Sequence, residues 1–289
     1  MTTERAFIEA LRRLATDPAA RNFDDDCAVI EIGGEALVVT HDAMAEGVHW
    51  LAGQDPADVA WKLVATNLSD LAAKGAEPLG VLLGYQFGAD DARFLEGLEE
   101  VLASYGVPLL GGDTIAATGA QALGLTALGR ATHRPVPSRS GASIGDKLCL
   151  TGPLGAAMAG LEALRAGRGD SLAYRRPHAL LAEGRALAPQ VTAMMDVSDG
   201  LLLDAARMAR ASRVAFAIDS GTVPLAVPEH RRAEALRWGE DYQLLFTVPA
   251  GNPVPPGTAC IGEAIAAGVD PIMLDDAPLS EESSLGYEH

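Results

Sequence analysis

One stretch rich in Pro, Ser and Gly, residues 131–145, splits this chain into two halves that each alternate short apolar runs with amphipathic ones. Turn-forming residues at that density stop both helix and strand, so the stretch reads as a domain boundary. It divides the chain into residues 1–135 and 136–289. Ahead of it, residues 27–40 predict two strands joined at Gly33-Gly34. Residues 57–77 carry Val59, Leu63, Val64, Leu68 and Leu71 at helical spacing, with Pro78 as a stop. The strand VLLGYQF, a helix from Asp90 to Tyr105, the short strand VPLLGG and the strand ALGLTALGR complete the first half. The second half opens with KLCLTGPLG as strand and turn, then a helix over 155–166. A polar loop and helix over 170–185 follow. AMMDVSDGL runs from strand into turn, LLLDAARMARASR is an amphipathic helix, and VAFAID and YQLLFTV are strands. The pattern predicts an α/β (α+β) chain of two domains, a mixed-sheet first and an α/β second.

Composition narrows the function. The net charge of −17, from 22 basic and 39 acidic residues, repels nucleic acid and anionic lipid, so neither is an expected partner. No apolar run reaches the length of a membrane span, and MTTERAFIEALRRLA reads as an amphipathic helix without the apolar core of a signal peptide. Three widely spaced cysteines, Cys27, Cys149 and Cys260, suit a reduced cytoplasm.

The acidic residues are informative by position. Asp24, Asp25 and Asp26 precede a strand, and Asp42 ends another. Asp70 sits in the turn-like NLSD segment, and Asp113 follows Gly111-Gly112. Asp196 and Asp199 bracket Val197-Ser198 before Gly200. Strand ends are where α/β folds collect ligands. Any one of these aspartates could equally be a cap or a turn residue. Gathered together they would repel one another unless cations held them, and Mg²⁺, which takes hard oxygen ligands and bridges phosphates, is the natural one. NLSDL (67–71) and DVSDGL (196–201) are similar acidic turns, one in each half, which suggests a single site shared by both halves.

Familiar phosphate motifs are missing. Gly141 to Leu148 resembles a Walker loop only loosely: it has one residue too few between its glycines and Leu148 where a hydroxyl should hold Mg²⁺. No Gly-x-Gly-x-x-Gly follows a strand, and no zinc spacing or activated serine appears.

Six ordered segments carry a resemblance that runs nearly end to end. They are Glu46 to Trp50 (EGVHW), Asn67 to Ala76, Gly111 to Thr114 (GGDT), Arg139 to Ala142, Asp196 to Leu201 and Gly239 to Tyr242 (GEDY). To these adds the closing Gly286-Tyr287-Glu288-His289. With them the chain resembles the thiamine-monophosphate kinase family. That family lies in the superfamily of aminoimidazole-ribonucleotide synthetase and selenophosphate synthetase. The resemblance implies an ATP-dependent kinase with several Mg²⁺ ions and no covalent nucleophile or base. It implies Asp26, Thr40, Asp42, Asp70, Asp113, Asp196 and Asp199 as metal ligands or near neighbours. ATP would meet Gly112, Asp113, Arg139 and Ser198, and thiamine monophosphate would meet His49, Glu240 and Tyr287. It further implies a homodimer whose first domains share a barrel, and the first-half strands, apolar on both faces, suit that. Three departures stand out: His41 where a threonine is usual, Trp238 where a glycine is usual, and Phe23-Asp24-Asp25 in place of Gly-Ile-Gly-Asp. A sister enzyme with another small-molecule acceptor, or a non-catalytic nucleotide-binding regulator, would be the alternatives.

Overall fold

The computed structural model describes residues 4–279 and 285–287. Helix α1 (Glu4–Arg12) precedes the first half, whose elements are β1 (Ala28–Ile32), β2 (Glu35–Ala45), α2 (Pro56–Ala73), β3 (Ala76–Gln86), α3 (Asp91–Tyr105), β4 (Leu109–Ile115) and β5 (Ala122–Ala131). The five strands form a mixed sheet in the order β1-β2-β5-β3-β4, antiparallel except for the parallel β3–β4 pair at one edge.

The second half contains β6 (Lys147–Leu150), α4 (Ala156–Ala166), α5 (Leu172–Arg175), α6 (Leu181–Leu187), β7 (Ala193–Asp196), α7 (Leu201–Ser212) and β8 (Val214–Ile218). It ends with α8 (Arg232–Ala235), β9 (Leu244–Val248), β10 (Ala259–Ala266), β11 (Ile272–Leu274) and β12 (Ala277–Leu279). Its seven strands run β12-β11-β8-β10-β6-β9-β7, and only β8–β11 is parallel.

Helix α2 is the pivot. Asp55 caps it by accepting from the Ala57 amide at 3.0 Å, and Pro56 occupies the first turn where its missing N–H costs nothing. Nearly every residue from Ala57 to Ala73 is buried, because the first sheet covers one side and the second half the other. Small residues permit that closeness. A Cβ on Gly184 of α6 would lie 2.0 Å from the Ala72 carbonyl oxygen, and one on Gly97 of α3 would lie 2.3 Å from Ala57 Cα. The alanine-rich composition therefore serves backbone-to-backbone packing, and the core that results joins Leu63, Leu68 and Leu71 to Met194, Leu244 and Phe246 of the second half.

The first sheet has two unlike faces. The register aligns Thr40 with Ala127 and Val81, all buried toward α2. The next row, His41 with Thr126 and Leu82, points the other way. On that open side Leu82 is 38% exposed, and the edge-strand residues Leu110 and Ile115 are exposed as well. The second half packs through α2 and leaves this face uncovered.

Two local expectations are corrected. The NLSD segment is not a turn; it continues α2, because Leu63, Leu68 and Leu71 hold the helical period through it and its polar groups find tertiary partners. Asp42 and Asp113 lie within β2 and β4 rather than at strand ends, since both strands extend further than their apolar runs.

Candidate active site

Three carboxylates from three elements meet between the halves. Asp26 stands just before β1, Asp70 on α2, and Asp196 at the end of β7, and one oxygen from each lies within 4.8 Å of the others. The strand alternation adds Thr40 and Asp42 from the same face of β2, and the Thr40 hydroxyl donates to Asp70 Oδ2. Ser69 Oγ donates to Asp196 Oδ2 at 2.6 Å, and the Asp42 amide donates to Asn67 Oδ1 at 3.0 Å. The polar stripe of α2 is thus what places the cluster.

Burial and mutual repulsion oppose ionisation here. Burial, then the charges of Asp42, Asp196 and Asp26, push the Asp70 carboxyl well up. Burial, with Asp26 nearby, pushes Asp196 up to about 8, and burial, with Asp26 and Asp199 adding to it, pushes Asp42 up to about 6. A buried set of hard oxygen donors that resists ionisation is the environment a divalent cation relieves, and the residues fit Mg²⁺.

Three cations hold the near side. Lys74 Nζ sits 2.6 Å from Asp26 Oδ2 and also bonds Asp25 and the Met194 carbonyl. Arg139 Nε donates to Asp26 Oδ1 at 2.7 Å. Arg21 bonds Asp25 and the carbonyls of Val136 and Pro137. Burial alone would raise the Asp25 carboxyl, but the charges of Lys74 and Arg21 outweigh it and hold it down to about 2. Asp24, unexplained by the sequence, pairs with Arg12 of α1 at 2.6 Å. At and just ahead of the departure Phe23-Asp24-Asp25, the residues Arg21, Asn22 and Phe23 all adopt left-handed φ angles of 47°, 58° and 56°.

On the far side three motifs cross. The Glu240 amide donates to the Ser198 carbonyl at 2.8 Å, and the Tyr287 amide donates to the Asp199 carbonyl at 2.9 Å. Glycines make these crossings possible, since a Cβ on Gly239 would lie 2.1 Å from the Ser198 oxygen and one on Gly286 would lie 2.3 Å from the Asp199 oxygen. Asp204 Oδ2 accepts from the Ser198 and Asp199 amides at 3.1 and 3.0 Å, and Arg207 bridges Asp199 and Asp204. Glu240, at φ +67°, accepts from Lys62 Nζ at 2.6 Å. That ammonium also bonds the His49 carbonyl at 2.8 Å and lies 3.8 Å above the Tyr174 ring. Within the same corner His49 Nδ1 accepts from the Ala45 amide. Asp241 turns away to cap α4, accepting from Gly155 and Ala157.

The structure therefore brings together Asp26, Thr40, Asp42, Asp70, Asp196 and Arg139, with Ser198 and Asp199 in the adjoining turn. His49 and Glu240 meet through Lys62, and Tyr287 joins through Asp199. Gly112 and Asp113 stand apart. Asp113 aligns with Gly84, Gly124 and then Ala43, three strand spacings or about 14 Å across the sheet. Ala43 is on the same side as His41, so this row belongs to the open face rather than to the α2 face. A Cβ on Gly112 would lie 2.0 Å from the Leu83 oxygen, so the edge strand needs glycine there. His41 bonds Thr126 at 2.9 Å, facing away from the cluster. Glu288 and His289 of the closing motif lie outside the described residues.

Sequence reasoning missed Lys62, Lys74, Ser69, Tyr174, Asp204 and Arg207. A signal existed for two of them: Lys62 lies on, and Lys74 directly follows, a helix whose periodicity buries almost every position, so each needs a carboxylate partner.

Two family models cover most of the chain: AIR synthase related protein, N-terminal domain, over residues 24–131, and the corresponding C-terminal domain over residues 143–255. The thiamine-monophosphate kinase of Caulobacter vibrioides is 37% identical over 85% of this chain and 77% of its own. That of Halobacterium salinarum is 31% identical over 99% of both. Among solved structures, AaThiL complexed with AMPPCP and TMP superposes with a TM-score of 0.88 at 28% identity, covering 99% of this chain and 97% of that one. An acidic cluster between two AIR-synthase-type domains, and relatives of this similarity along its length, make the chain a kinase of the thiamine-monophosphate kinase family.

Proposed function

We propose that this enzyme transfers the γ-phosphoryl group of ATP to the phosphate of thiamine monophosphate, giving thiamine diphosphate. The observation that carries the reading is the buried Asp26–Asp70–Asp196 cluster at the junction of the halves. Two polyanions must approach each other in this reaction, so it demands neutralisation and alignment more than proton transfer. Asp26, Thr40, Asp42, Asp70 and Asp196, with Asp199 close by, would hold several Mg²⁺ ions, whereas Asp113, on the open face of the first sheet, would join them only from the partner chain of a dimer. Those ions would supply the positive charge that bridges phosphates. A phosphate oxygen is already ionised near neutral pH, so no side chain is assigned as base or nucleophile.

Arg139, Ser198, Gly112 and Asp113 are assigned to ATP, and His49, Glu240 and Tyr287 to the thiamine end. Glu240 and the Tyr287 ring suit a fixed thiazolium cation. The domains divide at about residue 135, consistent with the two family matches. We place the working unit as a homodimer joined through the open face of the first sheet, with strands of two chains sharing a barrel and ATP near the joint. The exposed Leu82, Leu110 and Ile115 support it. The cytoplasm is the proposed compartment; no described helix is long and apolar enough to cross a membrane.

Incubation with MgATP and thiamine monophosphate should release ADP and thiamine diphosphate, while thiamine itself should be a poor acceptor. ATP turnover confined to another acceptor would mark a sister activity, and none with any acceptor would mark a nucleotide-binding regulator. Sedimentation at low micromolar protein tests the dimer: a fully active monomer would remove it from the mechanism.

A further inference from the structure

Two of the three cysteines stand directly opposite each other in the second sheet. Cys149 of β6 aligns with Cys260 of β10 in an antiparallel pair. Directly opposed residues have Cα atoms about 4.5–5.5 Å apart, inside the window of about 4.4–6.8 Å that a disulfide spans. Opposed residues also share a face, so both side chains point to the same side. Their exposures differ: Cys149 is buried, with Phe246 on its other flank, whereas Cys260 is open to solvent. Cys27, the third thiol, is buried in the first half against the Asp70 carbonyl.

The position in the sheet gives the pair a consequence. Strands β6 and β10 form the seam between β6-β9-β7, which ends in Asp196, and β12-β11-β8-β10, which lies away from the site. The ladder is irregular at that seam, because the register shifts between Cys260 and Gly262. A bulge leaves a residue unpaired and weakens the local ladder. Gly262 keeps the bulge close to β8, since a Cβ there would lie 2.0 Å from the Ala217 oxygen.

We propose that Cys149 and Cys260 form an oxidant-sensitive dithiol whose disulfide ties the site-bearing half of the second sheet to its distal half. The oxidant is a hydroperoxide. The Cys260 thiolate attacks the distal peroxide oxygen, the O–O bond breaks, and the alcohol or water departs, leaving Cys260 as a sulfenic acid. The Cys149 sulfur then attacks Cys260 Sγ, the S–O bond breaks, and the Cys149 proton leaves with the hydroxide as water. Two thiols and one hydroperoxide give one disulfide, one alcohol and one water. The order follows from access: Cys260 is exposed, whereas Cys149 is buried, and that burial, with Cys260 beside it, pushes its thiol up to about 12 and disfavours it as the first attacker.

The test is peroxide treatment of the full chain, denaturing alkylation and peptide mapping. Oxidised protein should lose two of its three alkylatable thiols. A single peptide linkage should join the Cys149 and Cys260 segments, with Cys27 still reduced. Because the bond closes a long loop, its unfolding midpoint should rise by about 5 °C or more. Cys149→Ala should leave Cys260 trapped as a sulfenic acid that dimedone captures, and Cys260→Ser should leave Cys149 alkylatable after the same exposure. Oxidation of Cys260 in the unsubstituted chain to a stable sulfenic or sulfinic acid, with Cys149 still fully alkylatable, overturns the proposal. So does a disulfide formed only between two chains.

Discussion

Replacing Asp196 with asparagine should make the metal-free protein more stable while impairing its chemistry. Asp196 is 2% exposed, and its carboxyl is pushed from 3.8 to about 8 by burial and by Asp26. Between the unfolded and folded values the folded chain binds the extra proton. Stability is therefore full below about pH 4 and is lost as the pH rises through about 8. At ~1.4 kcal/mol per tenfold, the full span would reach roughly 6 kcal/mol. Asp42 and Asp70 share that penalty, so removing one charge should recover on the order of 2 kcal/mol. Asparagine keeps an acceptor for the Ser69 hydroxyl and offers its amide to the neighbouring carboxylates, so little hydrogen bonding is lost. For a chain of this size that is a rise of roughly 4–6 °C in the melting midpoint. Differential scanning fluorimetry in EDTA, near pH 8 and again near pH 5, should show the gain at the higher pH and its shrinkage at the lower. Millimolar Mg²⁺ should raise the midpoint of the unsubstituted chain and do little for the variant. A variant that melts below the unsubstituted chain at the higher pH in EDTA would refute the repulsion reasoning.

Three further outcomes are expected. Lys74→Met should destabilise by about 3–5 kcal/mol in urea titrations, because it strands the buried Asp25 and Asp26 charges without their shared cation. Phe23→Gly should stabilise by about 0.5–1 kcal/mol in the same assay, since Phe23 is 43% exposed and its φ of 56° is costly for a residue with a Cβ but not for glycine. Gly239→Ala should lower turnover at least about tenfold in the acceptor assay, because its methyl would drive the Glu240 crossing away from Ser198; a rate within twofold would show that the crossing is not needed.

The candidate aspartates stand out in the sequence as acidic residues at predicted strands or turns, and the family was legible because six ordered motifs carry it. The strands around Gly33-Gly34, the first-half helices and the AMMD strand were legible for a similar reason, as short-range periodicity and turn residues decide them. NLSD reads as a turn in isolation because three of its four residues are the polar, turn-favouring Asn67, Ser69 and Asp70. Only the tertiary packing shows why a helix would carry these residues inward: Asn67 and Asp70 meet Asp42 and Thr40 of β2, and Ser69 meets Asp196 of the second half.

Read alone, the sequence determined the two-part α/β organisation, the acidic balance and the family, and it picked out the aspartates as candidates. The tertiary structure decided which of them meet. Thr40 and Asp42 fall on the α2 side of the first sheet, and the Asp113 row falls on the other, because side chains alternate along a strand and register aligns them across it. It also decided the charge balance. Lys74 and Arg139, distant in the chain from Asp26, reach it only when α2 and the linker close around that carboxylate. Periodicity and motif spacing record local conformation, whereas ion pairing depends on distances through space, and those exist only once the chain has packed.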